Sequence, residues 1–162
     1  GKISDIKVAY DKREITDLIV GIGYKHMDLR KRVFDDYSSN IPFASVIHPS
    51  SITDATCSIG DGVVILPGCV LDKGVKLNNN ILLNTACVIA HDSKILSHTF
   101  LSPGATVAGF VEIGECCNIG INTTIIDNIK IADHIQTGGG TVVIHDLQQK
   151  GLYVGNPAKF VR

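Results

Sequence analysis

The chain has 162 residues, of which 44% are hydrophobic and 19% charged, and its formal net charge at pH 7 is −1. A nearly neutral balance gives no electrostatic reason to expect binding to nucleic acid or to an anionic membrane surface. No apolar run approaches the roughly 20 residues that span a bilayer, and the N-terminus has no signal-peptide pattern, so we predict a soluble, cytoplasmic protein. The five cysteines lack CxxC spacing and suit reduced, packed thiols better than a disulfide framework.

Residues 1–50 follow no repeat and are predicted to form a partial α/β unit. Residues 17–23 predict a buried strand that ends in a glycine turn, Met27 to Tyr37 predicts a helix, and Phe43 to Ile47 predicts another strand. This order is typical of the end of a small α/β unit. A first strand with a G-x-G-x-x-G phosphate loop is missing. Either the chain is shortened at this end, or it holds its ligand differently.

A six-residue repeat runs through residues 51–162, which we predict to be a second domain. Thirteen consecutive positions, spaced six residues apart, are aliphatic: Ile59, Ile65, Leu71, Leu77, Leu83, Ile89, Ile95, Leu101, Val107, Ile113, Ile119, Ile125 and Ile131. The register breaks at Thr137 and resumes at Val143. A second series of mostly smaller residues follows four positions after each of these anchors, from Val63 to Ile135.

A period of six matches neither an α-helix nor a long alternating strand, and it predicts a short strand followed by a corner. Three such units make a triangular coil of 18 residues, and the coils stack at the inter-strand spacing of about 4.8 Å. Glycines such as Gly68 and Gly104 would turn the corners. The pattern itself does not fix the hand of the coil.

A more specific series of motifs is superimposed on the repeat. In order, they are Asn84-Thr85, Ile89-Ala90-His91-Asp92, residues 101–105 (LSPGA), Gly120-Ile121-Asn122 and residues 154–159 (VGNPAK). The repeat resembles that of the hexapeptide-repeat acyltransferases, and the motifs resemble their sugar acetyltransferase branch. That branch includes sialic acid O-acetyltransferases and N-acetyltransferases of nucleotide-linked amino sugars. The resemblance implies an all-β fold, a left-handed parallel β-helix, here preceded by the partial α/β unit.

The resemblance also implies roles for particular residues. His91 takes the place of the general base, and Asp92 would raise its basicity. The chemistry agrees, because an imidazole titrates near neutral pH and can accept the proton that a sugar amine or hydroxyl loses as it attacks a thioester. Ile121 and Gly139 take the places where the backbone contacts acetyl-CoA, and Lys159 is a candidate for binding the phosphates of the coenzyme.

Two further patterns in the sequence involve histidines. Some family members have a second cofactor-contacting histidine where this chain has Phe100, whereas here a histidine lies at position 98, so the role of His98 stays open. Asn80, His98, Cys116 and His134 lie 18 residues apart and predict a stacked, exposed or interfacial column. Side chains stacked in this way rarely converge on a tetrahedral centre, and we expect no metal.

We therefore predict an acetyl-CoA-dependent acyltransferase that acts by direct transfer, as a homotrimer with its active sites between subunits. The favoured reaction is N-acetylation of a nucleotide-linked amino-deoxy sugar for surface glycan synthesis. Two alternatives stay open: O-acetylation of sialic acid or another sugar hydroxyl, and a non-catalytic β-helix that serves as a binding or scaffold module. The residues determine neither the acceptor nor the length of the acyl group.

Overall fold

Very short strands recur along most of the chain. The computed structural model describes residues 2–162. Within this range the strands are β1 (Val46–Ile47), β2 (Ile52–Thr53), β3 (Ser58–Ile59), β4 (Val64–Ile65), β5 (Val70–Leu71), β6 (Lys76–Leu77), β7 (Leu82–Leu83), β8 (Val88–Ile89), β9 (Lys94–Ile95), β10 (Phe100–Leu101), β11 (Thr106–Val107), β12 (Glu112–Ile113), β13 (Asn118–Ile119), β14 (Thr124–Ile125), β15 (Lys130–Ile131), β16 (Ile135–Thr137), β17 (Val142–Val143), β18 (Gly151–Val154) and β19 (Lys159–Phe160).

These strands form three sheets, one on each side of a triangular coil. The first sheet has the order β1-β4-β7-β10-β13-β16-β18-β19, the second β17-β14-β11-β8-β5-β2, and the third β15-β12-β9-β6-β3. Strands pair in parallel with the strand one coil further on, as Val64 does with Leu82, and only β18 and β19 pair antiparallel. The predicted left-handed parallel β-helix is therefore confirmed.

The core is a set of stacked aliphatic side chains. From β4 to β15, the second residue of each strand faces inward, so that Ile65, Leu83 and Leu101, successive anchors of the first sheet, are fully buried. Burying a side chain of this size contributes at most about 1.5–3 kcal/mol. Because every coil adds three such anchors, stacking is the main stabilising contribution. The predicted anchors are thus the hydrophobic core.

The corners turn through a regular series of left-handed residues. From residue 62 to residue 140, every sixth residue has a φ between 51° and 73°. Five of these residues are glycines, and the others include Asp92, His98 and Phe110. A positive φ is uncommon for residues with a Cβ and especially for bulky ones. The coil geometry therefore imposes this conformation even where the sequence lacks glycine.

Small polar side chains inside the corners bind the backbone of the next coil. Thr99 Oγ1 donates to the carbonyl of Gly114 (2.8 Å) and accepts from the amide of Cys117 (3.0 Å). Thiols occupy the same position elsewhere, and each donates to a carbonyl 15 residues further on: Cys57 to Asp72, Cys69 to Asn84, Cys87 to Ser102 and Cys117 to Ala132. All five cysteines are free. Four of them therefore serve as corner hydrogen-bond donors.

Residues 2–45 form a small unit beside the coils. Its helices are α1 (Ile6–Asp11) and α2 (Met27–Ser38), with short 3-10 turns at Ile3–Asp5 and Tyr24–His26. The helix predicted from Met27 is present. The strand predicted over residues 17–23 is wrong, because a single parallel bridge joins Leu18 to Phe43 and no further strand lies beside it within residues 2–162. In the same range, no helix is long and apolar enough to cross a membrane.

The coil stack starts early in the chain. Val46 of β1 already pairs with Val64, five residues before the domain boundary predicted at residue 51. The division into residues 1–50 and 51–162 stays a prediction. The stack itself includes the last residues of the predicted N-terminal segment.

A buried arginine fixes α2 against the coils. Arg30 is 0% exposed, and its Nη1 donates to the carbonyls of Val20 and Ile22, both at 3.1 Å. Its Nη2 donates to the carbonyl of Asn80 in the coil at 2.8 Å. Burial lowers the pKa of Arg30 to about 10, so the guanidinium stays charged at neutral pH. The loop before α2, which includes Tyr24, is thereby held at a fixed place on the first sheet.

Candidate active site

His91 and Asp92 lie at a corner between the second and third sheets. His91 Nδ1 is 3.2 Å from Asp92 Oδ2, and both side chains are about half exposed (48% and 50%). Asp92 has a φ of 58°, and its amide donates to the carbonyl of Lys73 at 2.9 Å. In an extended backbone, the side chains of adjacent residues point to opposite sides. The left-handed turn at Asp92 instead brings the side chains of His91 and Asp92 together.

The imidazole of His91 is held by the next coil. Its ring lies edge-on to Phe110, with the ring centroids 5.0 Å apart. A Cβ on Gly109 would come within 2.7 Å of His91 Cε1 and 2.8 Å of Nε2. The ring therefore occupies the space that the missing side chain of Gly109 leaves free. Only glycine at position 109 allows this arrangement of His91.

The pair has the arrangement expected of a general base. When Nδ1 carries the proton it donates to the carboxylate of Asp92, and the lone pair of Nε2 is available to accept a second proton. A general base is not sufficient for the predicted acyl transfer. The acyl donor must also be bound, so a second site is required.

A cleft of about 360 Å³ lies along the first sheet and the corner that follows it. Its lining is Tyr24, Ser102, Pro103, Asn118, Gly120, Ile121, Gln136, Thr137, Gly138 and Gly139, and we call it the coil cleft. Two of the predicted coenzyme contacts, Ile121 and Gly139, are therefore in the same wall. The amide of Gly140 donates to the carbonyl of Ile121 at 2.8 Å, which fixes the two corners relative to each other.

Glycine at position 139 keeps the coil cleft open. A Cβ there would lie 2.9 Å from Cγ2 of Ile121, closer than real Cβ contacts. Ile121 is 52% exposed, which is high for an isoleucine. The wall is therefore an apolar side chain beside bare backbone, an arrangement that admits a slender ligand at close range.

Lys159 lies near one end of this cleft but does not line it. It is exposed on β19 and pairs with Val154, whose Cγ1 would be 2.8 Å from a Cβ on Gly138. His91, in contrast, is at a different corner, separated from Ile121 and Gly139 by the second sheet. One chain therefore does not bring the predicted base and the predicted coenzyme contacts into a single pocket.

Sequence reasoning missed four residues of the cleft: Tyr24, Asn118, Gln136 and Thr137. Asn118 and Gln136 are neighbours in the ladder, at the outward position of their strands. Asn118 and Gln136 could have been identified from the sequence by taking the outward-facing residue of each first-sheet strand, in steps of 18 residues. Tyr24 gives no such signal, because nothing in the repeat indicates where the N-terminal unit lies.

The column of Asn80, His98, Cys116 and His134 is not uniformly exposed or interfacial. Asn80 is fully buried, His98 is 4% exposed and Cys116 5% exposed beneath the N-terminal unit, while His134 is exposed. His98 hydrogen-bonds Asn80 and faces Asp35 of α2, and it does not line the coil cleft. Residues 2–162 contain no cluster of three or more His, Cys, Asp or Glu side chains that would hold a metal ion.

The adjacent cysteines at positions 116 and 117 are poorly suited to act as nucleophiles. Burial raises the pKa of Cys116 to about 11 and that of Cys117 to about 12, so both are thiols at neutral pH. Both side chains are buried, and Cys117 Sγ donates to the carbonyl of Ala132 at 3.1 Å. An acyl-enzyme intermediate has no support from these residues.

Comparison with known proteins supports the sequence-based resemblance. No protein-family model matches the chain. Among solved structures, the acetyltransferase domain of PglB from Neisseria gonorrhoeae is 26% identical with a TM-score of 0.85, over 90% of this chain and 70% of that one. A second structure of that domain is a complex with acetyl coenzyme A and matches equally well.

Two further structures have the same fold. PerB from Caulobacter crescentus, in complex with CoA and GDP-perosamine, is 25% identical with a TM-score of 0.88, over 98% of this chain and 76% of that one. WeeI from Acinetobacter baumannii is 22% identical with a TM-score of 0.80, over 84% of this chain and 67% of that one. The chain thus has the repeat and the fold of the hexapeptide-repeat acyltransferases, and the predicted resemblance to their sugar acetyltransferase branch is confirmed.

Proposed function

We propose that this chain is an acetyl-CoA-dependent N-acetyltransferase whose acceptor is a nucleotide-linked amino sugar. The observation that supports this most is the His91–Asp92 hydrogen bond, on a fold shared with acetyltransferases. The structure of PerB with CoA and GDP-perosamine supports the class of acceptor. The product would enter surface glycan synthesis, and acetyl-CoA and reduced thiols are both consistent with a cytoplasmic location.

In the proposed reaction, the amino nitrogen of the sugar attacks the carbonyl carbon of the thioester. His91 Nε2 takes the proton that this nitrogen loses, and Asp92 stabilises the imidazolium. The carbon–sulfur bond then breaks, and the departing thiolate recovers the proton from His91 to leave as free CoA. The new amide bond completes the transfer without a covalent enzyme intermediate. A base of this kind contributes about 10²–10⁴-fold to the rate.

We further propose that the active enzyme is a homotrimer. His91 and the coil cleft lie at different corners, so a second copy of the chain is needed to place a base beside a cleft. The second sheet has apolar residues on its outer side, since Ile52 and Val88 are exposed at 67% and 38%, and Phe110 and Ile126 continue this surface at the corner. Burying these side chains between copies would be favourable.

The test is the release of thiol from acetyl-CoA, measured with a panel of nucleotide-linked amino sugars. We expect release that depends on the acceptor and falls at least about a hundredfold in His91→Ala. His145→Ala is the matched control, because His145 is an exposed histidine in the same corner column, three coils further on. Its activity should equal that of the unmodified protein.

The outcomes separate the alternatives. Release that His91→Ala leaves unchanged would exclude His91 as the base while keeping the acyltransferase class. Transfer to sialic acid or another sugar hydroxyl, and not to amines, would favour the O-acetyltransferase. A protein that binds no CoA and releases no thiol with any acceptor would be a binding or scaffold module. Light scattering that shows a monomer under assay conditions would contradict the inter-subunit site.

A further inference from the structure

Phe110 adopts a backbone conformation that phenylalanine normally avoids. Gly74, Asp92, Phe110 and Asn128 occupy the same corner of successive coils, with φ between 57° and 70°. Glycine, aspartate and asparagine tolerate the left-handed region, whereas a bulky side chain is an outlier there. Such strain persists only where the surrounding structure enforces it, and it is concentrated at functional sites. The phenylalanine at this corner therefore needs an explanation.

Burial in the core does not explain it. Phe110 is 56% exposed, the highest fraction among the five phenylalanines of the chain. The hydrophobic clusters found within residues 2–162 do not include its side chain. An exposed ring recovers little of the free energy that the backbone conformation costs. The contact between copies proposed above would bury the ring, but it would not require an aromatic one.

The ring of Phe110 packs against one catalytic side chain, the imidazole of His91. The two rings are nearly perpendicular, at 87°, with their centroids 5.0 Å apart. The amide of Phe110 donates to the carbonyl of His91 at 3.1 Å, so the backbone fixes the two residues side by side in adjacent coils. Edge-to-face packing of aromatic rings is favourable at this distance. The contact therefore restrains an imidazole that is itself half exposed.

Asp92 alone does not fix the imidazole. Its carboxylate is well placed, because a Cβ on Gly74 would lie 2.7 Å from Asp92 Oδ1 and glycine leaves this space free. The imidazole, however, is joined to it by one contact of 3.2 Å between Nδ1 and Oδ2. An exposed side chain samples several staggered χ1 wells, and the ring torsion of histidine is broad, so one contact of this kind does not confine the ring. Phe110 supplies a second restraint from the next coil.

Resting on the proposed function, we infer that Phe110 is a positioning residue for the acetyl transfer. Its ring holds the imidazole of His91 in the orientation in which Nδ1 meets Asp92 and Nε2 stays free to take the proton of the acceptor. Phe110 acts through His91 and needs no contact with the reacting atoms. A displacement of about 1 Å in a reacting group can cost about 100-fold in rate, so a restraint on a half-exposed base has a measurable effect. The corner keeps an unfavourable φ because a glycine or an asparagine there would leave the imidazole unrestrained.

The experiment replaces Phe110 by leucine, which keeps an apolar side chain and the same unfavourable φ but removes the ring. With acetyl-CoA and an acceptor that the unmodified protein uses, kcat should fall about 5- to 20-fold, while KM for acetyl-CoA stays within about twofold. Phe110→Tyr keeps the ring and places its hydroxyl at an exposed position, so it should retain at least about half of kcat.

Phe160→Leu is the matched control. Phe160 is also exposed, at 42%, and its ring packs edge-on against Tyr153 with the centroids 5.3 Å apart. The same substitution therefore removes a similar aromatic contact away from His91, and kcat should be unchanged.

A measurement that needs no turnover examines the imidazole itself. The χ1 rotamers of His91 follow from the three-bond NMR couplings of its Cγ to the backbone nitrogen and carbonyl carbon. We expect a single rotamer in the unmodified protein and in Phe110→Tyr, and averaging over more than one in Phe110→Leu. Light scattering and thermal unfolding of Phe110→Leu should match the unmodified protein, because an exposed apolar residue is exchanged for another.

The failures of the two proposals are distinguishable. If the unmodified protein releases no thiol with any acceptor, the proposed function fails and the inference fails with it. If the unmodified protein is active, and Phe110→Leu has the same kcat or keeps a single rotamer of His91, only the inference fails. A clear drop in the unfolding temperature of Phe110→Leu, a change in its oligomeric state, or an equal loss of kcat in Phe160→Leu would also overturn it, since the effect would then have a structural cause.

Discussion

His98 Nδ1 lies 3.0 Å from Nδ2 of Asn80, the residue one coil before it, while His98 Nε2 faces Asp35 Oδ1 of α2 at 3.7 Å. The same asparagine accepts from Arg30 through its carbonyl and donates to the carbonyl of Arg30 through its amide. One buried polar cluster therefore joins the N-terminal unit to the coils. The hydrogen bond between Asn80 and His98 requires a neutral imidazole, because Nδ1 must accept the proton that the amide of Asn80 donates.

This cluster predicts acid sensitivity. Burial, reinforced by the charge of Lys31 and opposed by that of Asp35, lowers the pKa of His98 to about 4, against about 6.5 for an unperturbed histidine. Between these values the unfolded chain binds more protons than the folded one, so stability is complete above about pH 6.5 and falls as the pH drops toward 4. The loss should be on the order of 3 kcal/mol, measured by urea unfolding at a series of pH values.

His98→Asn should flatten this dependence. Asparagine places an acceptor oxygen near the position of Nδ1, tolerates the φ of 65° found at this corner, and does not titrate. His134→Asn is the control, because His134 is exposed in the same column with a φ of 57°. If the control lost the same pH dependence as His98→Asn, the assignment to His98 would be wrong.

A methyl group at position 109 should damage catalysis without unfolding the protein. Gly109→Ala places a Cβ within 2.8 Å of His91 Nε2, and the exposed imidazole must rotate away. Gly109 itself is not left-handed, so the backbone is not strained. We expect kcat/KM to fall about 10- to 100-fold through misplacement of the base, with little change in the unfolding temperature.

Gly21→Ala is the control for Gly109→Ala. A Cβ at Gly21 would meet no atom within 4 Å, and activity should be unchanged. Equal activity of Gly109→Ala and the unmodified enzyme, in an assay that detects acetyl transfer, would argue against the observed orientation of His91 as the working one.

The hydroxyl inside a corner should have a measurable effect on stability. Thr99→Val keeps the shape of the side chain but leaves the carbonyl of Gly114 and the amide of Cys117 without their buried partner. We expect a loss of about 1–3 kcal/mol in the free energy of unfolding, measured with urea. The exposed Thr106→Val should change it by less than about 0.5 kcal/mol. Equal stabilities of the two variants would refute the proposed role of the corner hydrogen bonds.

Much of the fold could be predicted because one physical pattern repeats. Anchors such as Ile65 and Leu83 recur every six residues, and the burial that this period implies is what the structure shows. The cysteines were predicted to be reduced and packed, and Cys69 and Cys87 are free and buried, but their hydrogen bonds to carbonyls of the next coil were not foreseen. The left-handed φ of Phe110 was equally unexpected, since no local preference of phenylalanine favours it.

The site was only partly predictable for a different reason. His91 and Asp92 are adjacent in sequence, so their pairing needs only one turn. Tyr24, in contrast, reaches the coil cleft through the docking of α2, and that docking depends on buried bonds from Arg30 to Asn80 across 50 residues of sequence. Polar contacts of this kind leave no periodic signal, and the burial of His98 was missed for the same reason.

The 18-residue coil has a consequence for how proteins of this shape can change in length. Inserting or deleting one whole coil keeps all the remaining side chains on their own faces. It only lengthens or shortens the groove along which a ligand would lie. An insertion of six residues turns everything after it by one third of a revolution. Placed between His91 and Ile121, it would move the coenzyme contacts to another edge of the triangle while every strand still had a buried anchor. Such a protein would fold with an intact core but would have lost its site. The core tolerates length changes in multiples of six residues, whereas the site tolerates only multiples of 18.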